Sequence, residues 1–407
     1  MKKMLLITKG FPYGTSEQSF LQTEYDTLAK SFEITVLSEG IEPLPVQKGY
    51  ENVKTIRFEE KSSYKMIGKA LLRKDSLKEM AEAVRGADAG LVYRRIREIT
   101  SFSTRACLIE PILRRAVAEV RPDIIYSYWC TPATLAALRL KHEFPSIKVV
   151  SRFHGIDLYN ERCASLRQPF RTLMAGELDE VLFACRAGRD YFEKNWGRKG
   201  SVHYLGTKKR NIIEENPDCF IVVSCSNLIP LKRVELIISA LGELPDDIKV
   251  SWHHYGDGSC RAKLEKQAEA ELGNKGNVEY FFEGFKENEK LIETYSEIRP
   301  WLFITVSGSE GGAPVSIQEA FSLGIPCIGT AVGGIPELIT DDHNGFLLGT
   351  EPDVKSIADA LERFYRLSGE RRKAFRKNAR ETWERSFDAA HNAASFSEKL
   401  LGLLNER

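Results

Sequence analysis

The 407-residue chain repeats one pattern, in which a short run of apolar, often β-branched residues precedes a turn and a segment with apolar residues at helical spacing. In the first half of the chain the apolar runs lie at 4–7, 34–37, 53–58, 123–127, 148–153, 181–185 and 201–205. Helical patterns lie between them, for example at 131–142 and 186–196. Continuous apolar strands that alternate with helices are typical of a parallel sheet covered on both faces. The pattern therefore predicts an α/β fold with a doubly wound sheet in this half.

The pattern stops at residues 208–218, which are polar and charged, and then begins again. A second series of apolar runs lies at 220–224, 249–255, 278–282, 301–306, 326–329 and 346–348, and the segment after residue 354 shows helical spacing alone. We predict two doubly wound, Rossmann-like domains, 1–212 and 213–387, and a C-terminal helix at about 388–407 that packs back on the first. Because open parallel sheets bind ligands beyond the carboxyl ends of their strands, we expect the site in a cleft where the two sheets face each other.

Composition narrows the class of protein. Hydrophobic residues make up 43% of the chain and charged residues 28%, as in an ordinary globular protein, and a net charge of +1 gives no reason to expect a nucleic-acid partner. The eight cysteines include no C-x-x-C pair, which argues against a zinc site or a disulfide framework and favours a reducing compartment. The first apolar stretch stops at Thr8 and Lys9, short of the roughly 7–15 residues of a signal-peptide core. No run approaches the roughly 20 apolar residues of a membrane span, so we expect a cytoplasmic protein.

The charge is unevenly distributed along the chain. Residues 61–121 contain 14 Lys and Arg against 7 Asp and Glu. One interpretation is the solvated face of amphipathic helices. The other is a surface that meets anionic lipid or a pyrophosphate-bearing acceptor, which would place the protein at the inner face of the cell membrane as a peripheral protein.

Residues 307–320 (SGSEGGAPVSIQEA) form the most informative segment, because they follow a predicted buried strand and open a helix. The glycines allow a ligand to approach the backbone closely, and Pro314 suits the first helical position. Free N–H groups at a helix N-terminus bind anions such as a diphosphate, and Glu319 lies where a carboxylate can accept hydrogen bonds from sugar or ribose hydroxyls. Gly324 is predicted to end this helix. From the residues alone, a diphosphate site and a plain strand–helix turn both fit.

This segment, continued by FSLGIP at 321–326 and TAVGGIPE at 330–337, resembles the signature of the family 4 retaining glycosyltransferases, a pair of glutamates separated by seven residues. The resemblance implies that the first glutamate holds the donor hexose and the second grips the ribose, which is Glu319 here. In this chain eight residues separate Glu310 from Glu319, so either Glu310 or Gly311 occupies the first position. The resemblance also implies donor contacts from the intervening residues, which are Gly311, Gly312, Ala313, Pro314 and Val315.

A second motif, SCSNLIPLKR at 224–233, follows the first predicted strand of the second domain. Lys232 is predicted at a helix start, where the helix dipole disfavours a cation by about 0.3–1 kcal/mol. A bound diphosphate would reverse that sign, since unit charges about 4 Å apart attract by about 4 kcal/mol at an effective dielectric of 20. The alternative is a solvated surface lysine. The resemblance implies that Lys232 is a catalytic diphosphate ligand; the family usually has an arginine where this chain has Asn227, and Arg233 is a candidate to compensate.

A third motif, SRFHGIDLY at 151–159, lies at the end of a predicted strand. A single histidine is more often structural than catalytic. Here, however, a glycine follows His154 and Asp157 lies three residues further on, as in the His-Gly-x-Asp element of the same family. The resemblance implies that His154 reaches the transferred sugar, and that Asp157 belongs to the acceptor and phosphate loop.

The loop after the first strand, GFPYGTSEQSF at 10–20, lacks the G-x-G-x-x-G of a dinucleotide fold. The family places a glycine here to leave room for donor phosphate and acceptor, and Gly14 is the closest match. For Glu17 two roles stay open, a helix cap or a contact with the acceptor.

The four motifs occur in family order over nearly the whole chain, and together they imply a GT-B fold and transfer of a hexose from a UDP- or GDP-linked donor to a glycan or lipid-linked glycan, as in surface polysaccharide biosynthesis. The chain has no Asp-x-Asp, so we expect no metal and no cofactor, with Lys232 and helix N-termini carrying the diphosphate charge. The family's usual mechanism is front-face displacement; double displacement with two carboxylates stays an alternative. Two other functions also stay open, a nucleotide-sugar epimerase or hydrolase and a non-catalytic nucleotide-sugar-binding module.

Overall fold

The first half of the chain folds into a seven-stranded parallel sheet in the order β3-β2-β1-β4-β5-β6-β7. The computed structural model describes residues 1–14, 17–40, 44–58 and 64–406. The strands are β1 (Lys2–Thr8), β2 (Phe32–Ser38), β3 (Thr55–Arg57), β4 (Ile124–Ser127), β5 (Lys148–Phe153), β6 (Glu180–Phe183) and β7 (Ser201–Val202). The central strands β1, β4 and β5 are almost wholly buried, which is why they appear in the sequence as continuous apolar runs.

The helices of this half are α1 (Gln18–Leu28), α2 (Tyr64–Leu71), α3 (Lys74–Ala83), α4 (Ala89–Val120), α5 (Pro132–Lys141), α6 (Gly155–Leu158), α7 (Arg171–Glu177) and α8 (Arg186–Trp196). Local residues set several of their ends. Thr131 caps α5 by accepting a hydrogen bond from Ala133 N, with Pro132 at the first helical position. Gly197 ends α8 in the left-handed conformation, at φ 71°.

The second half forms a six-stranded parallel sheet in the order β10-β9-β8-β11-β12-β13. Its strands are β8 (Phe220–Cys225), β9 (Val250–Tyr255), β10 (Val278–Gly284), β11 (Leu302–Thr305), β12 (Cys327–Thr330) and β13 (Gly345–Leu348). Its helices are α9 (Val234–Gly242), α10 (Arg261–Leu272), α11 (Asn288–Ile298), α12 (Val315–Ser322), α13 (Ile335–Leu338), α14 (Val354–Tyr365) and α15 (Gly369–Ser386), and the chain ends in α16 (Ala389–Asn405). The sequence predicted both parallel sheets and the strand-free helical end.

The chain divides into two compact units, Met1–Tyr204 together with the segment from Ala390, and Leu205–Ala389. In the first unit Phe396 of α16 contacts Tyr126 of β4, with ring centroids 5.2 Å apart. The sequence placed the divisions at 212/213 and 387/388.

The polar segment 208–218 belongs to the second unit, because arginines of α15 hold its backbone. Arg376 donates to Ile213 O at 2.7 Å, and Arg380 donates to Arg210 O at 2.6 Å. Both guanidinium groups are largely buried. A sequence that looks like a free linker is therefore fastened to one domain, which moves the division towards the N-terminus.

All eight cysteines are free thiols. Within the described ranges, no helix is both long enough and apolar enough to cross a membrane.

Candidate active site

The two signature glutamates of the second unit lie on the loop and helix that follow β11. Pro314, predicted at the first helical position, is instead the N-cap of α12 at φ −59°, one residue before the helix begins at Val315. Gly324 ends the helix at φ 75° as predicted. A Cβ atom on Gly333 would lie 2.3 Å from the carbonyl oxygen of Glu310, and one on Gly334 would lie 2.4 Å from the backbone nitrogen of Ala313. The glycine pair therefore lets a neighbouring turn pack against the loop and fix its path.

Lys232 and Glu310 form an ion pair, with Nζ 2.5 Å from Oε1 and both side chains largely buried. Lys232 ends a 3₁₀ turn, Pro230–Lys232, and Arg233 adopts a left-handed conformation at φ 49° before α9 begins. The prediction that Lys232 starts the helix is therefore wrong, as is the alternative of a solvated surface lysine. The proline-led turn aims the ammonium group at the glutamate loop instead.

Arg233 is occupied elsewhere. Its guanidinium donates to Val306 O at 2.7 Å and to Ser307 O at 2.9 Å, and it pairs with Glu351 at 2.6 Å. Arg233 thus holds the start of the glutamate loop and does not replace the arginine that the family has at the position of Asn227. Asn227 itself is exposed in the loop after β8.

Glu319 is buried on α12, with 7% of its surface exposed. Its carboxylate accepts a short hydrogen bond from the side-chain amide of Asn288, the first residue of α11. Burial raises the pKa of Glu319 to about 7, whereas the hydrogen bond from Asn288 and the charge of Arg210 act in the opposite direction. The sequence reasoning missed Asn288, although its position shortly after β10 lies at the sheet edge where ligands are expected.

Close backbone packing supports the loop that carries Asn227. Gly256 adopts φ 134°, and a Cβ atom there would lie 2.0 Å from Ser226 O. Leu228 N donates to Asp257 O at 3.0 Å. Only a glycine lets the loop after β9 come this close to the loop after β8.

In the first unit, His154 lies between β5 and α6 and is 8% exposed. Its Nε2 lies 3.0 Å from Tyr128 O, and its ring centroid lies 4.1 Å from that of Trp129. Because the partner is a carbonyl, Nε2 carries the proton and donates. Burial lowers the pKa of His154 to about 3, helped by the charge of Arg152, so the imidazole is neutral at pH 7 and its Nδ1 is an acceptor.

Asp157, which the resemblance assigns to the acceptor and phosphate loop, binds the backbone of the turn around His154. Its carboxylate accepts hydrogen bonds from His154 N at 2.5 Å and from Cys130 N at 2.8 Å, and the residue is 7% exposed. Burial raises the pKa of Asp157 to about 6. Because both oxygens bind backbone amides, Asp157 holds the turn that carries His154.

Of the two roles left open for Glu17, the helix cap is wrong and the contact with the acceptor stays a prediction. It precedes α1 but makes no side-chain capping bond, and it is 2% exposed. Its carboxylate accepts from Gly10 N and Phe11 N, both at 2.7 Å, and from Trp129 Nε1 at 2.5 Å. Glu17 therefore shapes the loop after β1, in which Gly14 adopts φ 63°.

The carboxyl edge of this sheet also carries polar residues that the sequence reasoning missed. Lys9 Nζ lies 4.3 Å from the ring centroid of Trp129. Glu39, at the end of β2, accepts from Thr131 Oγ1 at 2.6 Å, and burial raises its pKa to about 7. The ends of β1, β2 and β4 thus supply a cation, a carboxyl group and an aromatic ring, and the ring contacts His154. No group of three His, Cys, Asp or Glu residues within the described ranges could hold a metal ion.

Comparison with known proteins relates this geometry to a family. Residues 207–382 match the family model described as glycosyl transferases group 1. A protein of Escherichia coli (strain K12) that is named as a colanic acid biosynthesis glycosyltransferase, WcaL, is 25% identical over 300 residues, which cover 70% of this chain and 72% of that protein. The GDP-mannose-dependent α-(1-6)-phosphatidylinositol monomannoside mannosyltransferase of Mycolicibacterium smegmatis is 23% identical over 87% of both chains.

The solved structures show the same architecture over the full length. The crystal structure of Anabaena Alr3699/HepE, in complex with UDP and glucose, superposes with a TM-score of 0.70 at 17% identity and covers 99% of this chain and 100% of that one. At this identity the likeness concerns the fold, which is GT-B. The second unit therefore carries a glycosyl transferases group 1 domain within a GT-B fold. The glutamate, lysine and histidine segments of the chain resemble the motifs of the family 4 enzymes.

Proposed function

We propose that this glycosyltransferase moves a hexose from a nucleotide-diphosphate sugar to a glycan or lipid-linked glycan, with retention of the anomeric configuration, in surface polysaccharide biosynthesis. The observation that carries the proposal is that Lys232, in the turn after β8, pairs with Glu310 of the loop after β11. The helix that follows this loop carries the buried Glu319, and all three residues lie inside the matched group 1 domain. We assign the donor to the second unit and the acceptor to the first.

In the donor site, Lys232 supplies a positive charge that is already oriented by Glu310. A diphosphate carries more negative charge than one carboxylate, so it can bind the ammonium group of Lys232 together with Glu310. The free oxygen of Glu310 can then accept hydrogen bonds from hexose hydroxyls. Backbone N–H groups between Gly311 and Val315, at the start of α12, are available for phosphate and hexose oxygens. Asn227 supplies at most a neutral hydrogen bond where the family has an arginine, which shifts more of the diphosphate charge onto Lys232.

Glu319 is suited to the ribose. An ionised carboxylate has about four lone-pair sites, and among the described residues only Asn288 donates to this one. The remaining sites can accept hydrogen bonds from two adjacent hydroxyl groups. UDP and GDP both carry that ribose; the Anabaena structure contains UDP, whereas the mycobacterial relative is named for GDP-mannose.

Retention is proposed to follow front-face displacement, in which the C–O bond to the diphosphate breaks, an oxocarbenium-like sugar forms, and a phosphate oxygen takes the proton of the attacking hydroxyl. The protein then contributes orientation and electrostatic stabilisation. His154 suits this role because its neutral ring adds no charge beside the sugar. We propose that the reaction requires no metal or cofactor, since Lys232 and the amides of α12 neutralise the leaving group.

The experiment is thermal unfolding of the protein with UDP, GDP, ADP and their sugar conjugates, followed by product analysis with an acceptor. A ligand at 100 times its Kd should stabilise the native state by about 2.7 kcal/mol. We expect one nucleotide diphosphate to raise Tm, and Lys232→Ala and Glu319→Ala to abolish the shift while the exposed Lys263→Ala retains it. No shift with any nucleotide would refute the donor site.

Product analysis separates the alternatives. Donor consumed equally with and without acceptor would indicate a hydrolase or epimerase, and donor bound but never consumed would indicate a binding module. Proton NMR of the new anomeric centre decides between retention and inversion.

A further inference from the structure

The helices α2 and α3 of the first unit carry an unusual concentration of exposed apolar side chains. Among the described residues fourteen large hydrophobic side chains are exposed, and six of these lie in the short stretch from Ile67 to Tyr93. The six are Ile67, Leu71, Leu72, Leu77, Val84 and Tyr93, and Leu72 is the most exposed at 81%. Single exposed apolar residues need no explanation, whereas a cluster usually marks an interaction surface.

The charged residues of α2, of α3 and of the two residues after α3 are sorted by sign. The exposed ones between 64 and 85 are all basic: Lys65, Lys69, Lys74, Lys78 and Arg85. None of these five forms an ion pair with a residue that the structure describes. The basic partners of the described ion pairs in this region are Arg73, Arg114, Arg139 and Arg167.

The acidic residues of this segment point inward and are neutralised there. Asp75 pairs with Arg139 at 2.7 Å, while Glu79 and Glu82 pair with Arg167 at 3.1 and 3.7 Å. The positive charge of the outer face is therefore uncompensated on that face. A merely solvated helix surface would be expected to mix both signs.

Helical geometry arranges the exposed residues in rows. At about 100° per residue, Lys65 and Lys69 share one side of the exposed arc of α2, and Ile67 and Leu71 share the other. In α3 and the residues that follow it, Lys74 and Lys78 form a basic row beside an aliphatic row of Leu77 and Val84 in the same way. The opposite sides pack inward, where Ala70 and Ala83 are fully buried and Ser76 Oγ lies 2.7 Å from Ser103 Oγ of α4.

We propose that this α2–α3 face, formed by the five basic residues and by Ile67, Leu71, Leu72, Leu77 and Val84, binds the surface of an anionic lipid bilayer. Charge complementarity selects this partner: basic side chains interact with lipid phosphates while adjacent aliphatic side chains enter the boundary between headgroups and acyl chains. The residues that precede the face, Lys61 to Ser63, lie outside the described residues. The inference concerns a surface apart from the donor site and does not depend on the proposed function.

The basic and the aliphatic side chains should each contribute a measurable part of the binding to the bilayer. Each Lys or Arg near an anionic surface is worth about fivefold in the partition coefficient, so loss of four should reduce binding several hundredfold at low salt. Added salt should weaken the same component because it shortens the Debye length from about 10 Å at 0.1 M to about 3 Å at 1 M. Loss of two exposed leucines should reduce binding about a hundredfold without changing its salt dependence.

The test is co-sedimentation of the full chain with vesicles of phosphatidylglycerol and phosphatidylcholine, and with vesicles of phosphatidylcholine alone. The basic variant replaces Lys65, Lys69, Lys74 and Lys78 by Gln, and the aliphatic variant is Leu71→Asn/Leu72→Asn. A matched control replaces four exposed lysines of the second unit, Lys263, Lys266, Lys355 and Lys373, by Gln.

We expect the wild type and the control to bind the anionic vesicles but not the vesicles of phosphatidylcholine alone. Both face variants should lose the binding to anionic vesicles, while their Tm and their nucleotide-induced Tm shift stay unchanged. The proposal is overturned if the wild type ignores anionic vesicles or if the control loses binding as strongly as the basic variant. It is also overturned if the face holds a second copy of the chain instead, which light scattering would show as a dimer that the aliphatic variant dissociates.

Discussion

Glu319 should control the pH dependence of nucleotide binding, because burial raises the pKa of its carboxyl group to about 7 in the unliganded protein. The unfolded value is near 4.5, so the folded protein holds this proton over a pH window in which the unfolded chain has lost it. The contribution of Glu319 to the stability of the free protein is therefore present below pH about 4.5 and is lost as pH rises to about 7. At 1.36 kcal/mol per pKa unit, the loss is about 3 kcal/mol.

Ligand binding should show the opposite trend. If the ionised carboxylate accepts ribose hydroxyls, the affinity for the nucleoside diphosphate should rise about tenfold per pH unit below the pKa and level off above it. The groups that act on Glu319 are Asn288 and Arg210, which favour its ionised form, and Glu289, which opposes it. Glu289 is itself paired with Arg210 at 2.7 Å, so Asn288 is the partner that can be changed with the least disturbance of charge.

The decisive perturbation is Asn288→Ala. A hydrogen bond to a charged group contributes about 1.5–3 kcal/mol, so its loss should raise the pKa of Glu319 by about one to two units. Because half of the carboxyl is ionised at pH 7 when the pKa is about 7, binding at pH 7 should weaken about 5- to 50-fold. Calorimetric titration with the nucleotide from pH 6 to pH 9 should show the midpoint displaced upward and the affinity recovered at the alkaline end. Asn277→Ala is the matched control, since Asn277 is a buried amide of the same unit that donates only to the carbonyls of Pro245 and Ile248. An unchanged midpoint in Asn288→Ala, with affinity reduced equally at every pH, would refute the reasoning.

Three further outcomes are expected. Lys232→Ala should weaken binding of the nucleoside diphosphate at least about tenfold, since it removes the positive charge 2.5 Å from Glu310, and equal affinity in calorimetry would contradict this role. Glu17→Gln should destabilise the native state by about 3 kcal/mol or more in urea unfolding, because a neutral amide cannot accept from Gly10 N, Phe11 N and Trp129 Nε1 together; a change below about 1 kcal/mol would count against it. Chelation with EDTA should leave the transfer rate unchanged, and a rate restored only by added Mg²⁺ or Mn²⁺ would show that a metal takes part.

The sequence predicts the fold well because the buried parallel strands are nearly continuous apolar runs, and because local residues such as Thr131 and Pro132 mark where helices begin. The same logic locates His154 directly after β5 and Glu319 in the helix that follows β11. Segment 208–218 was harder to place, since its polar composition resembles a linker and the arginines that hold it lie more than 150 residues later in the chain.

Side-chain direction was the least predictable feature of the site. The sequence contains Pro230 but does not reveal that it starts a separate 3₁₀ turn, which turns Lys232 away from the first turn of α9. Nor does any local pattern connect Asn288 with Glu319, because the contact joins two helices that are separated by β11. Such contacts depend on tertiary packing, about which single-sequence periodicity carries no information.

Carboxylates near the strand ends can be sorted by what already binds them. The carboxylate of Glu17 accepts from three backbone amides and an indole, Lys9 N being the most distant at 3.4 Å, and this fills its roughly four lone-pair sites. Glu319 and Glu310 are each held by one side chain, Asn288 and Lys232, and keep most of their accepting capacity. A carboxylate saturated by its own backbone can shape a loop but has nothing left for a hydroxyl group, whereas one held from a single side is both oriented and available. By this criterion Glu310 and Glu319 of the second unit keep capacity for a ligand, as does Glu39 of the first unit, which accepts from Thr131 Oγ1. Glu17→Gln should therefore lower stability, while Glu319→Gln should lower affinity.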